Sequence, residues 1–267
     1  MEERLSKLTK TVAGTGFITI NAIAFVGQAA MLILQSFVLL VRGPMIGQPV
    51  RLRHVVQEIV AAGVQSLPVV ILMAATIGIM LSIQGIHSLR IFGAETQVTY
   101  GLALSIPREF APLITGIIVA GRSGSQLASR VGSMRLNGEI DALTVMGISP
   151  VRFIVAPALL GLLISLPILV GVATAAALGA AQLYVEATIG IGAQAFWADV
   201  LSVVTMTDLA HCFGKAVLFA FLISLTGIVM GLGVAGGATA LGRATTSSVV
   251  TCIGAIIAAD TFVALLL

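Results

Sequence analysis

The sequence contains little charge for its length, since Asp, Glu, Lys and Arg make up only 9% of its 267 residues. A soluble domain carries about 25% charged residues, so a soluble globular protein with a water-facing surface is excluded. Intrinsic disorder is excluded as well, because it requires low hydrophobicity and high charge, whereas 58% of this chain is hydrophobic. What remains is a polytopic membrane protein.

Residues that build metal sites and catalytic centres are also scarce. The two cysteines, Cys212 and Cys252, lie in apolar runs and the three histidines are scattered, which excludes a disulfide framework and a zinc site. One G-x-G-x-x-G pattern occurs at 231–236, but it closes a membrane segment and does not follow a strand. Glycines spaced as G-x-x-x-G at 227–231 and 233–237 are typical of close helix packing. We therefore expect no catalytic residues, no metal and no cofactor in this chain.

Long uncharged runs show where the chain can cross a bilayer, because a span needs about 20 apolar residues. They predict five transmembrane helices, at residues 62–84, 98–120, 153–182, 209–233 and 245–265. Lys and Arg concentrate in the loops at 42–58 and 122–152, whereas the loops at 86–97 and 183–208 hold one cation, Arg90. By the positive-inside rule the first two loops and the N-terminus are cytoplasmic, and the C-terminus lies on the other side.

The apolar segment 17–41 does not fit this charge pattern as a further span, because cationic residues flank it on both sides. Asn21, Gln28 and Gln35 recur every seven residues and draw a polar stripe along one helix face. We therefore predict an interfacial or shallow re-entrant helix over 17–41. The alternative is a sixth span that breaks the charge rule. No separate soluble domain is expected within 1–267.

The central cytoplasmic loop, residues 121–152, contains an amphipathic stretch. Ile140, Leu143 and the Val145-Met146 pair predict a short apolar face beside Glu139 and Asp141, and Gly147 and Pro150 end the turn. A short helix of this kind is suited to docking in a groove on a partner protein. The alternative is an ordinary solvated loop.

Short motifs along the chain resemble those of the MlaE/YrbE family, the permease subunits of MCE-associated ABC lipid transporters. The matching pieces are Gln84-Gly85, Pro107-Arg108-Glu109-Phe110-Ala111-Pro112, Ala120-Gly121-Arg122-Ser123-Gly124-Ser125, Met134-Arg135, Glu139-Ile140-Asp141-Ala142-Leu143, Met146-Gly147-Ile148-Ser149-Pro150 and Gly242-Arg243-Ala244-Thr245-Thr246. The resemblance extends over about residues 50–267 and preserves the order and spacing of the pieces. One departure is Ile106-Pro107, where the family more often has a Leu pair, and Pro107 is expected to kink the second span.

The resemblance implies an all-α, homodimeric permease with an N-terminal interfacial helix and five transmembrane helices in a bacterial inner membrane. It implies a cytoplasmic ABC ATPase that binds ATP and Mg, a periplasmic MCE-domain protein and, in some members, a STAS-domain protein. The substrate would be phospholipid or a related lipid, moved between the inner membrane and the outer envelope to maintain outer-membrane lipid asymmetry. The candidate residues for ATPase coupling lie in the central loop: Arg122, Ser123, Gly124, Glu139, Asp141, Leu143, Met146 and Gly147.

Charges at membrane depth are functional candidates by default. Arg108 and Glu109 precede Arg122 by about 14 residues, or roughly 20 Å of helix, which places them beyond the bilayer midplane. In the resembling family this pair lies near the lipid-binding cavity, so we expect Arg108 or Glu109 to contact a lipid headgroup or to gate the cavity. The alternative is an ion pair that anchors the helix.

Lys215 and Asp260 form a second candidate pair. Each lies about seven residues, or roughly 10 Å, inside the outer edge of its span. Matched depth and opposite charge predict an intramembrane ion pair with a structural role between the last two spans. Asp208, Asp199 and Glu186 are expected to form a solvated outer rim.

The residues leave two other functions open. A proton-coupled secondary transporter would use Glu109, Lys215 and Asp260 as titrating groups, although inverted repeats, which such transporters favour, are not visible in the sequence. A scaffold that only anchors envelope proteins would tolerate substitution of Glu109.

Overall fold

A computed structural model of the chain describes residues 52–266, together with Gly27 and Met31. The interfacial helix predicted over 17–41 otherwise lies outside the described residues. Residues 52–266 are almost entirely helical and contain no strand. Within residues 52–266 the ten α-helices are α1 (Leu52–Ala62), α2 (Leu67–Arg90), α3 (Val98–Ser105), α4 (Ala111–Val119), α5 (Ser125–Leu136), α6 (Glu139–Val145), α7 (Ala156–Ile189), α8 (Ala193–Val203), α9 (Met206–Leu232) and α10 (Ala238–Leu266).

Several of these helices join end to end into five stretches that are long and apolar enough to cross a membrane. They are Leu52–Arg90, Glu95–Leu136, Val151–Ile189, Met206–Leu232 and Ala238–Leu266. The predicted all-α fold is therefore confirmed, and the part of the chain that the structure describes contains the five predicted spans. We call the end of the bundle that carries α6 the α6 end, and the opposite end, which carries α8, the α8 end.

The second span is longer than a bilayer requires. Its 42 residues form about 63 Å of helix at 1.5 Å per residue, twice the roughly 30 Å of a hydrocarbon core. The chain stays helical from Glu95 to Leu136 through π turns at Ile106–Phe110 and Ala120–Gly124. The first part of the predicted cytoplasmic loop, up to Leu136, is thus helical, and the non-helical connections around α6 begin only after that residue.

The core of the bundle lies between α7 and α9, whose most apolar windows are each 67% buried. Their fully buried side chains include Leu162, Leu166, Phe219 and Ile223. Glycines bring neighbouring helices into direct backbone contact, because a side chain at Gly78 of α2 would collide with the backbone of Ala177 in α7. Bilayer lipid is as apolar as these side chains, so close packing of this kind holds transmembrane helices together.

The G-x-x-x-G spacing at 227–231 has the predicted role in helix packing, whereas the spacing at 233–237 does not. A Cβ atom at Gly227 or Gly231 would lie within 3.0 Å of atoms of the second span, so α9 approaches that span at these two positions. Gly237, by contrast, has open space around it and a φ of +92° in the turn before α10. The second spacing therefore serves a turn and not a helix contact.

Candidate functional site

The π turn at Ile106–Phe110 carries the Arg108-Glu109 pair. Here the backbone hydrogen bond runs from the Ala111 N–H to the Ile106 carbonyl, five residues back. Pro107 and Pro112 favour this irregularity, because proline has no N–H to donate to the carbonyl four residues before it. The distortion expected at Pro107 thus takes the form of a π turn, a feature that frequently occurs at functional sites within α-helices.

Arg108 reaches from the second span to the first turn of α9. Its Nε lies 2.6 Å from Asp208 Oδ1. The other carboxylate oxygen of Asp208 accepts hydrogen bonds from the backbone N–H and the hydroxyl of Thr205, each at 2.8 Å. The Thr205 hydroxyl in turn accepts from the Asp208 N–H, so the two residues form a capping box at the start of α9.

The sequence led us to expect Asp208 in a solvated outer rim. That expectation is wrong, because Asp208 is only 2% exposed. The spacing T-x-x-D before an apolar run was the available signal, since it marks a helix N-terminus whose acidic residue is occupied by backbone N–H groups. Sequence reasoning missed that pattern and assigned Asp208 by its position near a loop.

Glu109 points to a second cation, deeper in α9. Lys215 Nζ lies 2.6 Å from Glu109 Oε2 and 2.9 Å from Asp260 Oδ1. The structure therefore brings Lys215 and Asp260 together, and it adds Glu109, a partner that the sequence did not suggest. The contact with Asp260 is an electrostatic ion pair, because Asp260 Oδ1 is buried without a partner in hydrogen-bond geometry.

We call Arg108, Glu109, Asp208, Lys215 and Asp260 the charge cluster. It has a buried part and an exposed part: the side chain of Lys215 is 1% exposed, whereas those of Arg108 and Glu109 are 49% and 39% exposed. Three carboxylates face two cations. The arrangement fixes the exposed guanidinium and carboxylate side by side on a rigid buried base, as in a site that binds a polar group at membrane depth.

The α6 helix begins and ends at glycines in the left-handed conformation, Gly138 with φ +71° and Gly147 with φ +73°. The expected apolar face is not a single face. Ile140 and Leu143 are 7% and 9% exposed and pack onto the protein, whereas Val145 is 89% exposed and lies at the opposite side of the helix. Two faces arise because each residue of an α-helix is rotated by about 100° from the one before it, so that Leu143 and Val145, two residues apart, differ by about 200°.

The outward surface of α6 therefore consists of Val145 and Met146, which is 64% exposed, flanked by the acidic Glu139 and Asp141. Asp141 Oδ1 lies 3.0 Å from Arg135 Nη1, so an ion pair joins α6 to the end of α5. Leu143 faces inward and is not available to a partner protein.

Ser123 and Gly124 lie inside the bundle and not on a loop at its end. Ser123 is 5% exposed, and the Gly124 carbonyl accepts a hydrogen bond from Ser248 Oγ at 3.2 Å. Their assignment to ATPase coupling stays a prediction, and in this placement they would act through the packing of the bundle. Arg122 donates hydrogen bonds to the backbone carbonyl and the side chain of Gln65, in the 3-10 turn between α1 and α2.

A protein-family model described as "Permease MlaE" matches residues 55–266 of the chain. The chain belongs to the MlaE permease family. This family membership accounts for the ordered motifs of the sequence, and the match includes all five charge-cluster residues and the whole of α6.

Named relatives are similar over most of their own length. The chain is 31% identical over 212 residues to the intermembrane phospholipid transport system permease protein MlaE of Haemophilus influenzae, which covers 78% of this chain and 81% of that protein. It is 29% identical over 215 residues to a probable ABC transporter permease protein of Synechocystis, covering 80% and 82%. It is also 29% identical over 208 residues to the chloroplastic protein TRIGALACTOSYLDIACYLGLYCEROL 1 of Arabidopsis thaliana, covering 78% and 59%.

Proposed function

We propose that this MlaE-family chain is the membrane subunit of an ATP-driven ABC transporter that moves phospholipid or a related lipid between a bacterial inner membrane and the outer envelope. One observation carries the proposal: the MlaE family model matches the region that holds the charge cluster and α6, and a relative 31% identical over 212 residues is named as an intermembrane phospholipid transport permease. In the cell this transport would maintain the lipid asymmetry of the outer membrane. Orientation follows the loop charges, with the α6 end in the cytoplasm and the C-terminus in the periplasm.

Arg108 and Glu109 are suited to contact the lipid headgroup. Their side chains are half-exposed at membrane depth while their partners Asp208 and Lys215 are buried, so the pair can meet a ligand without losing its position. A guanidinium binds phosphate strongly through charge-assisted hydrogen bonds. The same contacts also anchor the second span to α9, and the anchoring role and the headgroup role are compatible.

ATP and Mg would be bound by a separate ATPase, docked on the outward surface of α6. Exposed Val145 and Met146 provide an apolar anchor, and the ion pair between Arg135 and Asp141 transmits movement of α6 to α5. On the periplasmic side an MCE-domain protein would continue the lipid path, and a STAS-domain protein would bind the ATPase. Two copies of the chain would enclose the lipid cavity.

The experiment that tests this function uses the complex expressed from its whole operon. Native mass spectrometry should find two copies of this chain, two ATPases and bound phospholipid. Lipid transfer between proteoliposomes should require ATP and should stop when the partner ATPase is unable to hydrolyse it. Arg108→Gln should lower the transfer by about tenfold or more, the loss expected for removal of a charge-assisted hydrogen bond, while the complex still assembles.

A proton-coupled secondary transporter is the second candidate, and one observation favours it: Lys215 is buried between two carboxylates, an arrangement typical of titrating groups in transporters. This function predicts transfer that survives a hydrolysis-deficient ATPase and stops when the proton gradient is dissipated. Transfer that needs ATP hydrolysis and ignores the gradient would exclude it.

A further inference from the structure

A cavity of about 290 Å³ opens at the α6 end of the bundle, remote from the charge cluster. Four elements form its walls: α1, α5, the π turn at Val151–Val155 and the first turn of α7. Its polar lining consists of His54, Gln57, Glu58 and Arg130, and its apolar lining includes Met134 and Phe153. A volume near the lower end of the range for ligand pockets suits a headgroup-sized ligand and not a whole phospholipid.

Arg130 presents its guanidinium to this cavity from a fixed position. One of its nitrogens, Nη1, lies 2.5 Å from Glu58 Oε1, and Glu58 is itself closely packed on Gly161 of α7. The Arg130 side chain nevertheless remains 42% exposed. Because a guanidinium has five N–H donors in a planar fork, the ion pair leaves donors for an anionic ligand.

His54 also lines the cavity, one turn before Glu58 on α1. Its ring meets that of Phe153 edge to face, with ring centroids 5.1 Å apart. This contact orients the imidazole, which can donate a second hydrogen bond to a ligand. Arginine and histidine donors in a cavity that also has an apolar lining are complementary to a phosphate that carries an apolar tail.

The cavity also lies at the boundary of the apolar part of the bundle. The uncharged runs of the first and third spans begin directly after Glu58 and Arg152, which are at the cavity or adjacent to its wall in sequence. Lipid phosphates occupy this depth, where the hydrocarbon region ends. A site here faces lipid of the leaflet at the α6 end.

We infer that this cavity binds the phosphate headgroup of an anionic phospholipid from that leaflet, through Arg130 and His54. It is a second lipid site, separate from the charge cluster, and it does not depend on the proposed transport function. Because α5 precedes α6 and the π turn at Val151–Val155 follows it, a lipid bound here would link α1 to both flanks of α6. The lipid composition of that leaflet would therefore influence the position of α6.

The test measures binding and not transport. Full-length protein in detergent micelles is titrated with dioleoyl phosphatidylglycerol, and the dissociation constant of the first lipid retained is determined by native mass spectrometry. Dioleoyl phosphatidylcholine serves as the zwitterionic comparison, and inorganic phosphate is added as a competitor. The variants are Arg130→Gln, Arg130→Lys, which keeps the charge opposite Glu58, and Met134→Trp, which fills the cavity without changing its charge.

Arg135→Gln is the matched control, because Arg135 lies on the same helix, is similarly exposed and has its own ion pair with Asp141, outside the cavity. We expect Arg130→Gln to weaken phosphatidylglycerol binding about tenfold, the loss of one charged hydrogen bond. Met134→Trp should weaken it as well, because the larger side chain occupies the space of the headgroup. The control should stay within about twofold. Phosphatidylcholine should bind more weakly and respond less to Arg130, because its choline cation offsets the charge of the phosphate.

Two results would overturn the inference. Equal phosphatidylglycerol affinity in the cavity variants and in Arg135→Gln would show that no lipid binds there. Displacement of phosphatidylglycerol by inorganic phosphate at equal concentration would show that the ligand is a free phosphate and not a lipid. If Arg130→Gln fails to purify, Met134→Trp and Arg130→Lys decide the question, because both keep the ion-pair charge.

Discussion

Lys215 occupies the centre of the charge cluster with its ammonium almost completely removed from solvent. Carboxylates from two other helices lie within 2.9 Å of it, Glu109 from the second span and Asp260 from α10. Ionisable groups at membrane depth are tolerated when they pair with one another. This single side chain therefore joins three of the five spans, and its removal would leave two carboxylates facing each other.

We expect Lys215→Met to lower the free energy of unfolding by about 3–5 kcal/mol, the usual cost of removing one partner from a buried ion pair. The decrease would be measured as a loss of thermal stability in detergent. Adding Asp260→Asn to that variant should restore part of the loss, because it removes one of the unpaired charges. Arg90→Gln is the control: its ion pair with Glu95 is exposed and is worth at most about 1 kcal/mol. Equal losses in both single variants would contradict this account.

At the scale of the element, the close approach of α9 to the second span depends on two glycines. A Cβ at Gly231 would lie 2.7 Å from Val131 Cβ and 2.9 Å from the Ala128 carbonyl oxygen, and backbone cannot yield as a flexible side chain does. Gly214, on the same helix, has nothing within 4 Å of the corresponding position. The two positions separate the packing role of glycine from its intrinsic effect on helix stability.

We predict that Gly231→Ala destabilises the protein by about 1–3 kcal/mol, the range for overpacking a tight contact. Gly214→Ala should instead be neutral or stabilising by up to about 1 kcal/mol, because alanine favours helix over glycine. Thermal unfolding in detergent would compare the two variants. Equal effects would mean that α9 does not need this close approach.

α6 presents different residues to the protein and to its surroundings, which separates folding from docking. Val145→Glu should abolish co-purification of the partner ATPase while the thermal stability of the chain stays unchanged, since Val145 is 89% exposed. Leu143→Ala should do the reverse and lower stability by about 2–5 kcal/mol, as buried leucine truncations do. Leu201→Glu, at a residue that is 76% exposed but lies at the α8 end, is the control for adding a charge. Loss of the ATPase in that control would refute the specific role of α6.

At the scale of the whole molecule, the five spans are unequally buried. The most apolar window of α10 is only 17% buried and that of the first span 28%, against 67% for α7 and α9. Large apolar side chains such as Val250 and Phe262 point away from the chain's own core. These faces are available to lipid or to a second copy of the chain, and we expect the second copy of the proposed homodimer on α10, the least buried of the five described spans.

We expect a cysteine at Val250 or Phe262 to form an intermolecular disulfide under mild oxidation, because a two-fold axis along α10 would bring the same residue of both copies together. The native Cys212 and Cys252 are buried and should not interfere. Leu183→Cys, 66% exposed on α7, is the comparison and should remain monomeric on a non-reducing gel. Cross-linking through Leu183 alone would move the dimer interface from α10 to α7.

Part of the charge cluster could be predicted from the sequence, namely the depth of its residues in the membrane. The depth estimates placed Arg108 and Glu109 about 20 Å from one edge of a roughly 30 Å core and Lys215 about 10 Å from the other, which is the same level. The ion pairs could not be predicted, because Asp208 was expected in solvent and Glu109 was not matched to Lys215. Depth follows from counting residues along a helix, whereas pairing depends on how each helix is rotated about its axis.

The sequence by itself determined the class of the protein and the five spans within residues 52–266, because the preference of a segment for the bilayer depends on the composition of about 20 consecutive residues. Only the tertiary structure decided which residues meet. One extra residue in a π turn, as at Ile106–Phe110, rotates everything beyond it by about 100°, and helix packing alone set the inward turn of Ser123, Gly124 and Leu143. Those rotations are settled by contacts between distant segments, which no local pattern contains.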